Sequence, residues 1–154
     1  MKITLLVVGR LGRSAEAELS RDYAERASAA GRALGLGPVE IVEVEARKPG
    51  KAAEAEALAP PLADAHVIAC DERGKAWRSR EFAAHVGRLR DDGVRRLVLV
   101  IGGADGLDPA LRDAAREKLA FGVQTWPHAL ARVMLAEQVY RAVTILAGSP
   151  YHRD

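Results

Sequence analysis

The chain has 154 residues, 23 Lys and Arg against 21 Asp and Glu, a net charge of +2 and a single cysteine, Cys70. This length suits one domain with its own hydrophobic core, and one cysteine excludes an internal disulfide framework. No group of cysteine and histidine has zinc-ligand spacing, so we expect no metal. The first apolar run, ITLLVV, is too short for a signal peptide or a membrane span. We therefore expect a cytoplasmic protein that does not contact a membrane.

The first predicted elements are a strand and a helix. Residues 2–8 form an apolar, β-branched run, which is typical of a strand buried on both faces. Residues 14–34 carry apolar side chains three and four positions apart, which predicts an amphipathic helix that begins at Ser14. Gly35 and Gly37 are expected to end it.

The middle of the chain predicts two more strand and helix units. Residues 39–45 alternate between apolar and polar side chains, which indicates a strand near a sheet edge with one wet face. We expect the helix rich in Ala and Glu that follows to stop at Pro60 and Pro61. Residues 66–71 predict a further buried strand, and residues 79–91 predict a helix.

The last part of the chain continues the same alternation. Residues 95–101 are the most strand-like run, and Asp108, followed by proline, predicts the N-cap of a helix. A short strand is predicted at about 121–125 and a long helix at about 129–146. The order βαβαβαβαβα, without a repeat or a long linker, predicts a single α/β domain whose parallel sheet is covered by helices on both faces.

Ligand sites in such folds gather at the carboxyl ends of the strands. Residues 70–74, 102–106 and 125–128 are expected there. The adjacent glycines of IGGADGL would let a ligand approach the backbone, but no phosphate-binding lysine follows and G-x-G-x-x-G is absent. Taken one at a time, each stretch is equally consistent with an ordinary surface turn.

The last predicted helix has apolar side chains almost all the way round. Its polar residues Glu137, Gln138 and Arg141 share one side, and Arg132 projects nearly opposite them. A helix of this kind needs neighbours on more than one side, which a domain core and a second subunit would supply. We expect Arg132 near the strand-end pocket, where an unpaired cation is costly and an anionic ligand would relieve the cost.

Three stretches together resemble the small SPOUT-class methyltransferases that modify large-subunit ribosomal RNA: IGGADGL, TWPHALARVMLAEQVYRA and the terminal GSPYHRD. The similarity includes the opening VVGR and the DERGK loop, and covers nearly the whole chain. It implies a C-terminal trefoil knot, a homodimer and S-adenosylmethionine (SAM) as methyl donor. Residues 1–154 would be one domain, with the knotted SAM-binding part at about 66–154. The most similar group methylates N3 of the pseudouridine at position 1915, in helix 69 of 23S rRNA.

The resemblance also implies which residues form the donor pocket. Because family members often have Leu where Cys70 stands, that contact is expected to be apolar packing rather than thiol chemistry. The implied cofactor-binding residues are Cys70, Gly102, Gly103, Gly122, Val123, Gln124, Thr125, Trp126 and Pro127.

The terminal SPYHRD is the candidate segment for contacting RNA. Methylation of N3 requires that its proton leaves and that the base is held in line with the sulfonium. Tyr151 would stack on a base, Arg153 would hold phosphate, and His152 or His128 would assist proton removal. In a tight dimer the tail would complete the partner's pocket. The candidate catalytic residues are His128, Arg132 and His152, and the candidate RNA-binding residues are Arg132, Arg141, Tyr151, His152 and Arg153.

Two other functions stay open at this point. Related knotted enzymes modify transfer RNA, although they usually carry an added RNA-binding domain for which this chain has no residues to spare. The second alternative is an α/β dimer that binds a nucleotide-like ligand and catalyses no reaction. With so small a net positive charge, the chain would bind isolated RNA weakly, which favours assembled ribosomes or large subunits as the substrate.

Overall fold

The structure is a computed structural model in which residues 1–153 are described. Strands and α-helices alternate along these residues in the predicted order: β1 (Lys2–Val8), α1 (Ala15–Gly31), β2 (Val39–Val44), α2 (Lys51–Leu62), β3 (His66–Lys75), α3 (Ser79–Asp91), β4 (Arg96–Ile101), α4 (Pro109–Ala114), β5 (Glu117–Leu119) and α5 (His128–Leu146). None of these helices combines the length and the apolar character that a membrane span requires.

The strands form one sheet in the order β2-β1-β4-β3-β5, and every neighbouring pair is parallel. The central strands β1 and β4 are buried along nearly their whole length, as apolar runs predict. β2 lies at the edge and is only partly buried, which confirms its predicted position. The predicted parallel α/β domain is therefore confirmed.

The two faces of the sheet are covered by different helices. On β1, Ile3, Leu5 and Val7 belong to a core that contains buried residues of α1, α3 and α5. Leu6 and Val8 point the other way, into a smaller core with α2 and α4. This alternation along one strand confirms helices on both faces and makes a three-layer domain.

The prediction of a strand at 121–125 is wrong. The strand in this region, β5, ends at Leu119. Residues 120–127 then lead to α5 without a regular element and are called the irregular segment below. Gly122 adopts φ 102°, a conformation that an extended strand does not allow and that side chains disfavour. The irregular segment consequently leaves the sheet and can form one wall of a cleft.

The prediction that Pro60 and Pro61 stop the second helix is also wrong, because both lie inside α2. They fall in its last turn, where few intrahelical bonds remain to be lost. The Arg96 guanidinium donates to the carbonyls of Pro61 and Ala63 at 2.9 and 2.7 Å, which satisfies acceptors at the helix end.

β3 continues four residues beyond the predicted end at residue 71. The extension runs beside β5, where a Cβ on Gly74 would lie 2.7 Å from backbone atoms of Leu119. Glycine is therefore required for this close approach of the two strands, which brings the end of β3 against the start of the irregular segment.

Candidate functional site

A cleft of about 800 Å³ opens where β4 ends, between the outer part of β3 and the irregular segment before α5. All but one of the predicted donor-pocket residues line it: Cys70, Gly102, Gly103, Gly122, Gln124, Thr125, Trp126 and Pro127. Val123 does not, because its side chain is fully exposed. The fold thus brings together stretches from three different parts of the chain.

The glycine turn after β4 closes tightly on itself. Gly106 donates its N–H to the carbonyl of Gly103 at 3.0 Å, and a Cβ on Gly102 would lie 2.6 Å from the backbone of Gly106. No side chain fits at position 102 without moving the turn. Backbone rather than side chains therefore forms this wall of the cleft, as two adjacent glycines predict.

Glu54, in the first turn of α2, holds the glycine turn in place and was missed by the sequence analysis. Its Oε2 accepts the N–H of Gly103 at 3.2 Å, and a Cβ on Gly103 would lie 2.6 Å from its Oε1. The sequence offered only one sign of this role, an acidic residue at the start of an Ala-rich helix. No local motif connects it with a turn 49 residues away.

Cys70 stands on the cleft wall as a neutral thiol. Burial, with a smaller contribution from the charge of Asp71, raises the pKa of its thiol to about 12. The reactive thiolate is therefore nearly absent at neutral pH. This agrees with the expectation that Cys70 contributes apolar packing.

The irregular segment is held by contacts of its own side chains. The Trp126 indole N–H donates to the carbonyl of Phe121 at 3.3 Å, and Thr125 donates to Glu72 at 3.4 Å. Pro127 accepts the N–H of Ala131 at 2.9 Å and so begins α5. His128, the first residue of that helix, lines the cleft as predicted.

Arg132 is buried and paired within the protein, whereas the sequence analysis expected an anionic ligand to offset its charge. Its side chain is 2% exposed, and its guanidinium donates to the Glu43 carboxylate and, at 2.9 Å, to the carbonyl of Gly9. It does not line the cleft. Glu43 lies on the wet face that the alternation of β2 predicts, with 32% of its side chain exposed, so only the arginine of this pair is fully buried.

The C-terminal tail packs against the end of α5. The Tyr151 hydroxyl donates to the Glu137 carboxylate at 3.0 Å, and its ring makes an edge contact with Tyr140 at 4.7 Å between centroids. Arg141 also donates to Glu137 and lies 3.2 Å from Nδ1 of His152. Glu137, which the sequence analysis did not include in the site, is thus the common partner of two candidate RNA-binding residues.

Tyr151 stays protonated in this surrounding. Burial, followed by hydrogen bonds with Tyr23 and Glu137, raises the pKa of its phenol above the usual value. The Tyr151 hydroxyl therefore acts as a hydrogen-bond donor. The last candidate RNA-binding residue, Arg153, lies at the end of the described chain and is exposed.

A family model described as "Predicted SPOUT methyltransferase" matches residues 1–152. The chain belongs to this family. Proteins called "Ribosomal RNA large subunit methyltransferase H" are similar over their whole length: that of Caulobacter vibrioides is 73% identical, with 100% of this chain and 99% of the relative covered, and that of Caulobacter sp. K31 is 77% identical, with 100% of both covered. The protein of that name from Dinoroseobacter shibae is 56% identical and covers 99% of each chain.

Two solved structures show the same fold at low identity. A probable methyltransferase from Bordetella pertussis Tohama I has a TM-score of 0.54 at 18% identity, covering 92% of this chain and 96% of its own. A probable methylase family protein from Haemophilus influenzae Rd KW20 has a TM-score of 0.56 at 13% identity, covering 99% and 70%. Membership of the SPOUT family gives the chain the C-terminal trefoil knot of that class.

SPOUT methyltransferases use SAM as methyl donor, and the cleft fits this cofactor. Its volume lies within the range of small-molecule sites. Ile101, Leu107 and Phe121 supply apolar walls for an adenine ring, and the glycine turn supplies backbone polar groups. Charged side chains of both signs also line it, so carboxylates are available to a positively charged sulfonium: Asp71, Glu72 and Asp105, together with Lys51, Arg73 and Arg112.

We expect Glu54→Ala to weaken SAM binding by about five- to tenfold, because the Gly103 N–H loses a charged acceptor and the turn loosens. Calorimetric titration with SAM measures the change. Glu56→Ala, at an exposed position on the same helix, is the matched control and should bind as the wild type does. Wild-type affinity in Glu54→Ala would show that the turn does not need this contact.

We expect Glu43→Gln to lower the free energy of unfolding by about 3 kcal/mol, because the buried Arg132 guanidinium loses its charged partner. Adding Arg132→Met removes the stranded charge and should recover a large part of the loss, as urea denaturation will measure. If the losses of unfolding free energy in the two single variants simply add in the double variant, the pairing is contradicted. Methylation by the stable double variant then reports on the predicted catalytic role of Arg132 separately from its role in folding.

Proposed function

We propose that the chain transfers the methyl group of SAM to N3 of the pseudouridine at position 1915, in helix 69 of 23S rRNA. The observation that carries this proposal is similarity over the entire chain, at up to 77% identity, to proteins named as ribosomal RNA large subunit methyltransferases. The cleft built from the glycine turn and the irregular segment supports it. We place the reaction in the cytoplasm, where ribosomes are found.

Of the two histidines considered as proton acceptors, His128 is the one that lines the cleft of its own chain. When bound, SAM supplies a methyl group on a sulfonium, and N3 of the base attacks that carbon while its own proton leaves. Cys70 keeps its proton because its pKa is high, and Tyr151 does so as well. His128 lines the cleft at the start of α5, so we assign proton removal to His128 or to His152.

The tail of a chain lies far from the cleft of the same chain. His128 begins α5, and His152 contacts Arg141 thirteen positions further along that helix. At 1.5 Å per residue, the two ends are about 20 Å apart. A nucleotide at the cleft is out of reach of its own chain's tail, so we infer that Tyr151, His152 and Arg153 act at the cleft of a second copy.

An apolar groove beside the cleft supports a homodimer. It has a volume of about 410 Å³ and is lined by α1, α3 and α5, including Tyr23, Phe82 and Met134. Leu19 on its rim is 45% exposed. The groove and the cleft share the wall formed by Leu119 and Phe121. An isologous contact across α1 and α5 would cover the groove and bring each tail towards the other copy's cleft.

The contacts of the tail suit the capture of RNA. Glu137 holds Arg141 and Tyr151 together, and the Arg141 guanidinium lies 4.9 Å from the centre of the Tyr151 ring, so a cation and an aromatic ring form one fixed unit. Aromatic rings stack on unpaired bases, and guanidinium groups contact phosphates. With a net charge of only +2, the chain has little general attraction for RNA, and we propose assembled ribosomes or large subunits as substrate.

Ribosomes that lack the modification, incubated with the protein and methyl-labelled SAM, should gain label at one position of 23S rRNA. Mapping of the labelled nucleotide is the measurement. We expect purified 23S rRNA to be labelled much more slowly, because its folded context is missing. Label in transfer RNA, or SAM binding without any transfer, would overturn the proposal and support one of the two other functions.

The action of the tail on the partner can be tested with mixed dimers. A chain lacking residues 151–154 should bind SAM and fail to methylate, and Gly103→Val should lose SAM binding. If tails act across the dimer, an equal mixture that exchanges subunits recovers about a quarter of wild-type activity, since half of the dimers then hold one complete site. No recovery, in a mixture shown to exchange, would mean that each tail serves its own cleft.

A further inference from the structure

Three side chains that bind metals elsewhere in proteins meet outside the cleft. His66 begins β3, His85 lies in α3, and Glu117 begins β5. Their side chains are 17%, 16% and 24% exposed, so the group is largely shielded from water. None of the three lines the cleft or the groove, and the proposed methyl transfer makes no use of them.

The donor atoms of this cluster converge on one point. Nε2 of His66 lies 2.7 Å from one oxygen of Glu117, and Nε2 of His85 lies 3.2 Å from the other. The ligand atoms of all three lie within 4.8 Å of one another. Around a tetrahedral zinc ion such atoms are separated by about 3.3 Å, so the His66–Glu117 pair would open slightly and any wider pair would close slightly.

His85 has a ring nitrogen that the surrounding side chains of the described chain leave unsatisfied. Its Nε2 is buried and makes no hydrogen bond of good geometry within the described residues, despite its closeness to Glu117. A metal ion would satisfy this atom.

We propose that His66, His85 and Glu117 bind one Zn²⁺ ion, with water at the fourth position. Two imidazoles and a carboxylate form a ligand set that zinc accepts, and they favour a transition metal over the harder Mg²⁺ and Ca²⁺. The Glu117 carboxylate offsets one of the two positive charges of the ion. The sequence analysis expected no metal because the three ligands come from different elements and have no local spacing.

The ion would connect parts of the chain that are otherwise weakly joined. β5 has only three residues and pairs with β3 alone, at the edge of the sheet. A ligand from each of β3, α3 and β5 would fix that edge strand to the sheet and to the helix layer. Since β5 leads directly into the irregular segment, the bound ion would also steady one wall of the cleft.

Calorimetric titration of chelator-treated full-length protein with ZnCl₂ tests the site. We expect one ion per chain and a melting temperature that rises by roughly 5 °C at about a hundredfold excess over Kd. Mg²⁺ should give neither effect. Glu117→Gln and His85→Gln should abolish both, whereas Glu56→Gln, which removes an exposed carboxylate, should abolish neither.

Two results would overturn the proposal. One is the absence of saturable Zn²⁺ binding by the wild type. The other is binding of equal strength in Glu117→Gln, which would assign the ion to groups outside the cluster, such as His128 in the cleft. Should the variants fold poorly, the visible absorption of tetrahedral Co²⁺ in the wild-type protein decides instead, and its absence would equally reject the site. Neither result depends on methylation, so the metal site and the proposed function are tested separately.

Discussion

The ion pair between Arg132 and Glu43 positions the helix on which the rest of the site depends. It joins the first turns of α5 to the edge strand β2, and a further bond to the carbonyl of Gly9 ties the same guanidinium to the end of β1. A cation at 2% exposure has to be paired, so the helix can adopt few other positions. His128 is therefore carried to the cleft by an interaction four residues away from it.

α5 has different tasks at its two ends. Its start belongs to the cleft, and its end holds the tail through Glu137 and Arg141. The length of the helix keeps these two regions apart, and the proposed function therefore calls for a second chain. The apolar groove on the flank of the same helix provides a surface on which a second chain can pack. One helix thus sets the spacing of the candidate functional groups, and the proposed dimer rests on that spacing.

Much of the fold could be predicted because its signals are local. The apolar runs of β1 and β4 and the proline after Asp108 each act within a few residues, and the structure agrees with them. The strand expected at 121–125 failed because the backbone conformation at Gly122 outweighed local strand propensity. The cleft residues came from the family resemblance, and all but Val123 line it.

The contacts that could not be predicted join distant parts of the chain. Glu54 meets the glycine turn, and Glu43 meets Arg132, across 49 and 89 residues. Such pairs depend on how the layers of the domain stack, which no short pattern in one chain records. Conversely, the argument that a buried arginine needs an anion was sound in its chemistry, but the anion proved to be a side chain of the protein itself.

The protonated state of Cys70 makes the molecule convenient for spectroscopy. Because burial raises the pKa of the thiol to about 12, little thiolate is present at neutral pH, so maleimide dyes should label this position poorly. A new cysteine in place of the exposed Arg153 would then be the single reactive site. Distances between dyes on two such chains could follow the tails as subunits associate, without any change to the native thiol.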